Sequence, residues 1–277
     1  MTRAAALFVS HGAPSAALES NAWSRSLEDF GRRQSPSAVV VVSAHWEAGG
    51  PVRVSSAERH ETLHDFSGFP AELYELRYPT PGSPALAAEI VARLEKGGIA
   101  ARTEPARPLD HGAWVPLRFL FPRADVPVVP ISLPRPSDPA LVWRMGAHLA
   151  QLRERGVLFL GSGGGVHNLS RISLADRDAP PEPWAREFDR WLAARVADRD
   201  EASLIRWRDL APHASVAHPS SEHLDPLLFA VGASRDGDRL DVLYDGFDYG
   251  TLAMRSFAFV ANASGSEVGE AARTTPA

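Results

Sequence analysis

The 277-residue sequence contains no cysteine. Disulfides, thiolate metal sites and a cysteine nucleophile are therefore excluded, and any metal must be held by His, Asp or Glu. Of its 29 basic residues only Lys96 is a lysine, and the formal net charge is −5. No basic block forms a phosphate-binding stripe, so no nucleic-acid partner is expected. No apolar run approaches the ~20 residues of a membrane span. The opening MTRAAALFVSHGAPS breaks its short apolar run at His11-Gly12, too early for a secretory leader and its cleavage site. A cytoplasmic protein without a membrane partner is the expectation. Several catalytic signatures are missing too. GSGGGV (161–166) has Val166 where a dinucleotide fingerprint has its third glycine, and no Gly-Lys-Ser/Thr follows. There is no G-x-S-x-G elbow and no H-E-x-x-H.

What is present is an alternation of strand-like and helix-like segments. Strand-like runs cover 5–10, 38–44, 52–56, 126–132, 156–162, 240–246 and 254–261; Val39 to Val42 is a β-branched run of the kind buried on both faces of a sheet. Helix-like stretches cover 21–33, 84–96, 114–121, 138–154, 183–197 and 221–232. The best marked has Ser137 or Asp138 as N-cap, Pro139 in its first turn, a stripe of Leu141, Met145, Leu149 and Leu152, and Gly156 as its stop. His148 lies within this helix and reads as structural. The alternation predicts an α/β fold, a single three-layer domain whose mostly parallel central sheet is flanked by helices. The short link 247–253 predicts that the last two strands pair antiparallel. Residues 1–262 read as one domain, and the tail 263–277, without large apolar residues, as disordered.

Ten histidines then stand out. His11 follows LFVS, His45 follows VVVVSA, and His167 follows VLFLGSGGG. One histidine past a strand reads as ordinary packing. Three past parallel strands converge on one rim of a sheet, where open α/β folds collect their chemistry. His223 falls in a helix expected to be capped by Ser220 or Ser221. His64 with Asp65, and His111 after Asp110, sit in loops. Three neutral imidazoles and an open position make a recognised catalytic metal arrangement. Gly163, Gly164 and Gly165 are expected to let backbone approach that pocket closely. Trp46, Phe66 and Trp114 are available as aromatic walls, with core packing the plainer reading of each.

Seven segments in order, SHGAPS, VVSAHW, HDFSGFP, YPTPGSPALA, LDHGAWVPL, GSGGGVHNL and HPSSEHLDPLLFAVGA, resemble the 4,5-DOPA extradiol dioxygenase family, a branch of the extradiol ring-cleavage enzymes related to protocatechuate 4,5-dioxygenase. The resemblance spans roughly residues 5–260. It implies a non-haem metal on His11, His45 and His223, and an acid/base role for His167, close enough to the metal to raise the question of a fourth ligand. The protocatechuate branch has a glutamate as third ligand; here His223 stands at that place with Glu222 beside it. The implied reaction is insertion of O2 into a catechol, such as DOPA or a related catecholic acid, beside rather than between its hydroxyls, giving a ring-opened semialdehyde. Iron(II) is required for that chemistry, while zinc(II) suits the same three imidazoles. His111 and His64 are expected to hold substrate or O2. A zinc hydrolase and a non-catalytic metal-binding relative stand as alternatives. Arg107, Arg118 and Arg135 are all available to a substrate carboxylate and are not ranked by the sequence; the oligomeric state is not legible.

Overall fold

A computed structural model describes residues 3–173 and 175–262. The tail expected to be disordered, 263–277, lies outside the described residues. Ten strands are present: β1 (Ala6–Ser10), β2 (Ala38–Gly49), β3 (Val52–Ser55), β4 (Ala101–Glu104), β5 (Val128–Arg135), β6 (Val157–Gly163), β7 (Asp238–Tyr244), β8 (Phe247–Asp248), β9 (Leu252–Ala253) and β10 (Ser256–Ala261). The helices are α1 (Ala22–Arg32), α2 (Ala71–Glu75), α3 (Pro84–Lys96), α4 (His111–Leu120), α5 (Pro139–Leu149), α6 (Pro183–Ala197), α7 (Glu201–Ile205), α8 (Trp207–Leu210), α9 (Ala214–Ala217) and α10 (Asp225–Gly232).

Eight strands form one sheet in the order β4-β3-β5-β2-β6-β1-β10-β7. The central four, β5, β2, β6 and β1, are mutually parallel. Antiparallel pairing enters on both flanks, at β3 against β5 and at β10 against β1 and β7. The expected antiparallel pair near the C-terminus is therefore β7 with β10, and a two-stranded ribbon, β8 with β9, occupies the link between them. β4 escaped the sequence reading because ARTE, an edge strand, has only Ala101 buried.

The period of two in β2 explains the three layers. Val40 and Val42 join Phe8, Ile131 and Phe159 in the core beneath α3, α5, α6 and α10. Val39 and Val41 join Leu7, Val9, Leu158 and Leu160 against α1 and α4. Both faces are covered, so each of these four valines is at most 1% exposed. Burying such a side chain contributes about 1.5–3 kcal/mol, which holds the strand in register and fixes what lies at its end.

Three differences from the sequence reading concern the rim. β2 does not stop at Ala44 but runs on to Gly49. Val42 pairs with Ile131 and Glu47 with Leu133, so the intervening residues bulge out of the ladder. His45 is thus aimed by a bulge inside a strand rather than by a loop after it. His111 is not in a loop but is the first residue of α4, behind Asp110, whose side chain accepts from the Ala113 N–H. The last helix begins at Asp225, after Leu224, and neither Ser220 nor Ser221 caps it; His223 stands in the turn before the helix.

Candidate metal centre

The site lies beyond the carboxyl ends of three neighbouring parallel strands, β1, β6 and β2. Ser162 on β6 pairs with Val9 on one side and Ser43 on the other, which puts its hydroxyl between the ends of both neighbours. His11 extends β1 by donating its backbone N–H to the Gly163 carbonyl at 3.0 Å. The glycines expected to allow close approach do so. Gly164 donates its N–H to the His223 carbonyl at 2.8 Å, and a Cβ on Gly163 would stand 2.0 Å from that same oxygen. The pre-α10 turn can reach the rim only because β6 ends without side chains there. Gly112, in the first turn of α4, plays the same part on the other side: a Cβ there would meet Ser43 Oγ at 2.5 Å and the His45 ring at 2.9 Å.

His11, His45 and His223 come together, each with a ring nitrogen within 4.8 Å of the others. Hydrogen bonds set the tautomers of His11 and His223, and a carboxylate faces Nδ1 of His45. The Ser162 hydroxyl donates to the Gly112 carbonyl, which leaves its oxygen to accept from His11 Nδ1–H at 3.0 Å. His223 Nδ1–H donates to Glu222 Oε1 at 3.0 Å. His45 turns Nδ1 toward Asp65 Oδ2 at 3.6 Å. In each case Nε2 is left with its lone pair, and Nε2 of His11 lies 3.1 Å from Nε2 of His45. With Nδ1–H on both rings, the two Nε2 lone pairs face each other, which is unfavourable unless a cation lies between. At metal–nitrogen lengths of ~2.0–2.1 Å, two ligands of one ion stand roughly 3 Å apart. The donor set therefore fits a divalent ion of the zinc or iron type.

Burial keeps these rings neutral. His11 is held well below the ordinary imidazole pKa, first by burial and then by the neighbouring imidazoles of His45, His111 and His223. Burial likewise lowers His223 to about 3 and His45 to about 4, although Glu222 acts against the shift in the first and Asp110 and Asp65 in the second. A neutral ring is the form a metal requires.

The remaining predicted residues divide. His167 stacks on His223, ring centroids 3.5 Å apart and planes within 5°; its nitrogens group with Glu222 and His223, not with His11 and His45. Burial lowers its pKa to about 4 against the raising effect of Glu222. His111 lies 4.0 Å from His45, centroid to centroid. His64 has Phe66, Tyr74 and Trp114 as ring neighbours and a ring nitrogen on the Leu76 carbonyl at 3.1 Å. Trp114 is fully buried, whereas Phe66 is half-buried and stands edge-on to His111. Arg107 is committed to the scaffold: it donates to the His45 carbonyl and to Asp110, and lies over Trp46. Arg135 is exposed, with Glu47 3.8 Å away. His148 lies against Gly97, away from the cluster.

Two residues entered the site without having been singled out for it. Asp65 was read only as the neighbour of His64, yet it is Asp65 that reaches the cluster, accepting from the backbone N–H and Nδ1–H of His111 at 2.9 and 3.0 Å. Asp110 accepts from Ser43 Oγ at 2.6 Å and thereby ties the β2 bulge to the start of α4. A His-Asp dipeptide is the one local signal for the first, since carboxylates commonly partner the outer nitrogen of ligand histidines.

Residues 7–259 match the family described as the catalytic LigB subunit of aromatic ring-opening dioxygenase. The chain is 35% identical over 262 residues to the 4,5-DOPA dioxygenase extradiol of Beta vulgaris, covering 91% of this chain and 95% of the relative. It is 37% identical over 259 residues to the protein of the same name in Escherichia coli K12, with coverages of 92% and 94%. The crystal structure of an uncharacterised protein from Escherichia coli K12 superposes with a TM-score of 0.78 at 32% identity, over 93% of this chain and all of the other. The chain belongs to the LigB family of aromatic ring-opening dioxygenases, an enzyme family that works through a metal. No helix among the described residues is long and apolar enough to cross a membrane.

Proposed function

We propose that this protein is a non-haem iron(II) extradiol dioxygenase that opens the ring of a catechol, DOPA or a related catecholic acid, to a semialdehyde. Its working unit is residues 1–262, in keeping with the family match over 7–259. The observation that carries the reading is the inward-facing Nε2 set of His11, His45 and His223, with His167 stacked beside it outside that set.

His11, His45 and His223 would hold the ion. Bound iron(II) supplies the one-electron chemistry that lets O2 react with a catecholate, which zinc, having no redox chemistry, cannot. The chain's own residues orient the substrate and move its protons. His167 is neutral at working pH, so it has a lone pair ready for a phenolic proton. A negative phenolate oxygen within ~4–6 Å favours the charged imidazolium, so arrival of the substrate itself raises the basicity of His167. The proton it takes is then available to the product oxygen. His111, with its Nδ1–H donated to Asp65, offers Nε2 to a substrate hydroxyl. Phe66 beside it supplies an aromatic wall for the ring, and His64 continues that wall outward.

The test is anaerobic reconstitution with Fe(II), followed by a panel of catechols and O2. A yellow ring-opened product and stoichiometric oxygen uptake are expected with iron and not with zinc. Oxygen uptake absent for every catechol, or hydrolysis supported by the zinc form, would sink the assignment.

A further inference from the structure

Asp65 carries out two tasks with one carboxylate. Its Oδ1 accepts both the backbone N–H of His111, at 2.9 Å, and the ring Nδ1–H of the same residue, at 3.0 Å. The two contacts lock the first residue of α4 in place and leave no freedom in the ring orientation. Its Oδ2 faces Nδ1 of His45 at 3.6 Å. His45 and His111 are themselves in ring contact, centroids 4.0 Å apart. The carboxylate side chain is only 19% exposed. It is therefore a carboxylate held between two rings on different elements, the bulge of β2 and the start of α4.

We propose that Asp65 is a positioning residue that fixes both His45 and His111 as Nδ1–H tautomers. His45 is thereby compelled to present Nε2 to His11 and the ion, and His111 to present Nε2 to the substrate. The carboxylate that orients one metal-holding ring thus also orients the acceptor at the substrate. Ser162 and Glu222 do the corresponding work for His11 and His223, but each serves one ring. Loss of Asp65 alone should disturb two sites together. The metal part of this inference rests on the proposed metal centre; the tautomers do not, because they are a property of the protein before any ion binds.

The experiment uses the full chain with 15N-labelled histidine. Long-range proton–nitrogen correlation of the metal-free protein reads the tautomer of each ring directly, and His45→Ala and His111→Ala spectra assign the two signals. Both rings are expected as Nδ1–H in the wild-type protein. In Asp65→Ala the His45 and His111 signals should both move to mixtures of tautomers, while the other resolved histidines keep theirs. Titration with Co(II), followed by its visible spectrum, should show affinity reduced by about 10–100-fold, the usual loss when a ligand's outer-shell partner is removed. Asp65→Asn, which keeps the volume but not the charge, should fall between the two proteins. A wild-type spectrum with either ring as Nε2–H overturns the inference even if no variant folds. So does an Asp65→Ala protein with unchanged tautomers. If Co(II) binds neither protein while the wild-type tautomers are as stated, the proposed metal centre fails and the positioning role of Asp65 stands.

Discussion

The imidazole of His167 lies flat on that of His223, centroids 3.5 Å apart and planes within 5°. The nitrogens of His167 group with Glu222 and His223 and fall outside the His11, His45, His223 set. Under the proposed mechanism, proton transfer and metal retention therefore separate. His167→Asn should keep its metal and its affinity for catechol, because Asn hydrogen-bonds but exchanges no proton near neutral pH. Its kcat should fall by ~10²–10⁴, the usual worth of a positioned acid/base. Metal analysis and turnover on the same sample decide the matter: loss of metal makes His167 a ligand, and wild-type turnover removes it from the mechanism.

The three inward-facing nitrogens carry a matching expectation. Purified wild-type protein should hold about one divalent ion per chain. His11→Ala, His45→Ala and His223→Ala should each lose it on dialysis, with folding retained by circular dichroism. Elemental analysis showing the metal unchanged in His45→Ala would contradict the ligand set.

Gly163→Ala tests whether the backbone of β6 must stay bare. A Cβ there would stand 2.0 Å from the His223 carbonyl, so the pre-α10 turn must move. Overpacking of this kind costs about 1–3 kcal/mol, and the displaced His223 should weaken metal binding as well. Gly49→Ala is the control, since its added Cβ meets nothing closer than 3.7 Å. Melting temperatures and metal affinities of the two variants should diverge; equal behaviour would show that the turn yields freely.

Acid stability depends in part on a buried pair far from the site. Arg153 and Asp238 lie 2.7 Å apart with both side chains fully buried. Burial opposes ionisation of Asp238, but the hydrogen bond and charge of Arg153, with further help from Arg235 and Arg3, outweigh it and lower the pKa. A carboxyl lowered in the folded state contributes stability that is complete above its unfolded pKa of ~3.9 and is lost as pH falls through the folded value. Asp238→Asn should therefore cost about 3–5 kcal/mol at pH 7, because it strands a buried guanidinium. The gap to wild type should narrow below about pH 4 in urea titrations. A gap independent of pH would contradict the ionic account.

Much of this protein is local and is therefore legible from its residues. Short apolar runs buried on both faces mark β1, β2, β5 and β6 as strands, and Pro84 and Pro183, in first turns, mark the starts of α3 and α6. The placement of His11 and His167 at strand ends follows from the same runs. Parallel alternation then suffices to bring them to one rim, and the ordered motifs suffice for the family. Apart from Glu222, the sequence neighbour of His223, the partners that turn the histidines into a site are not local. The bulge that aims His45 exists because β2 pairs with β5 in two registers, which depends on a strand more than eighty residues away. Asp65 and His111 are 46 residues apart, and Ser162 and His11 are 151. Residue types and spacings encode which side chains can take part in the chemistry; the tautomers of rings such as His11 and His111, and so the nitrogens they present, are decided only when tertiary packing brings a hydrogen-bond acceptor to the opposite side of the ring.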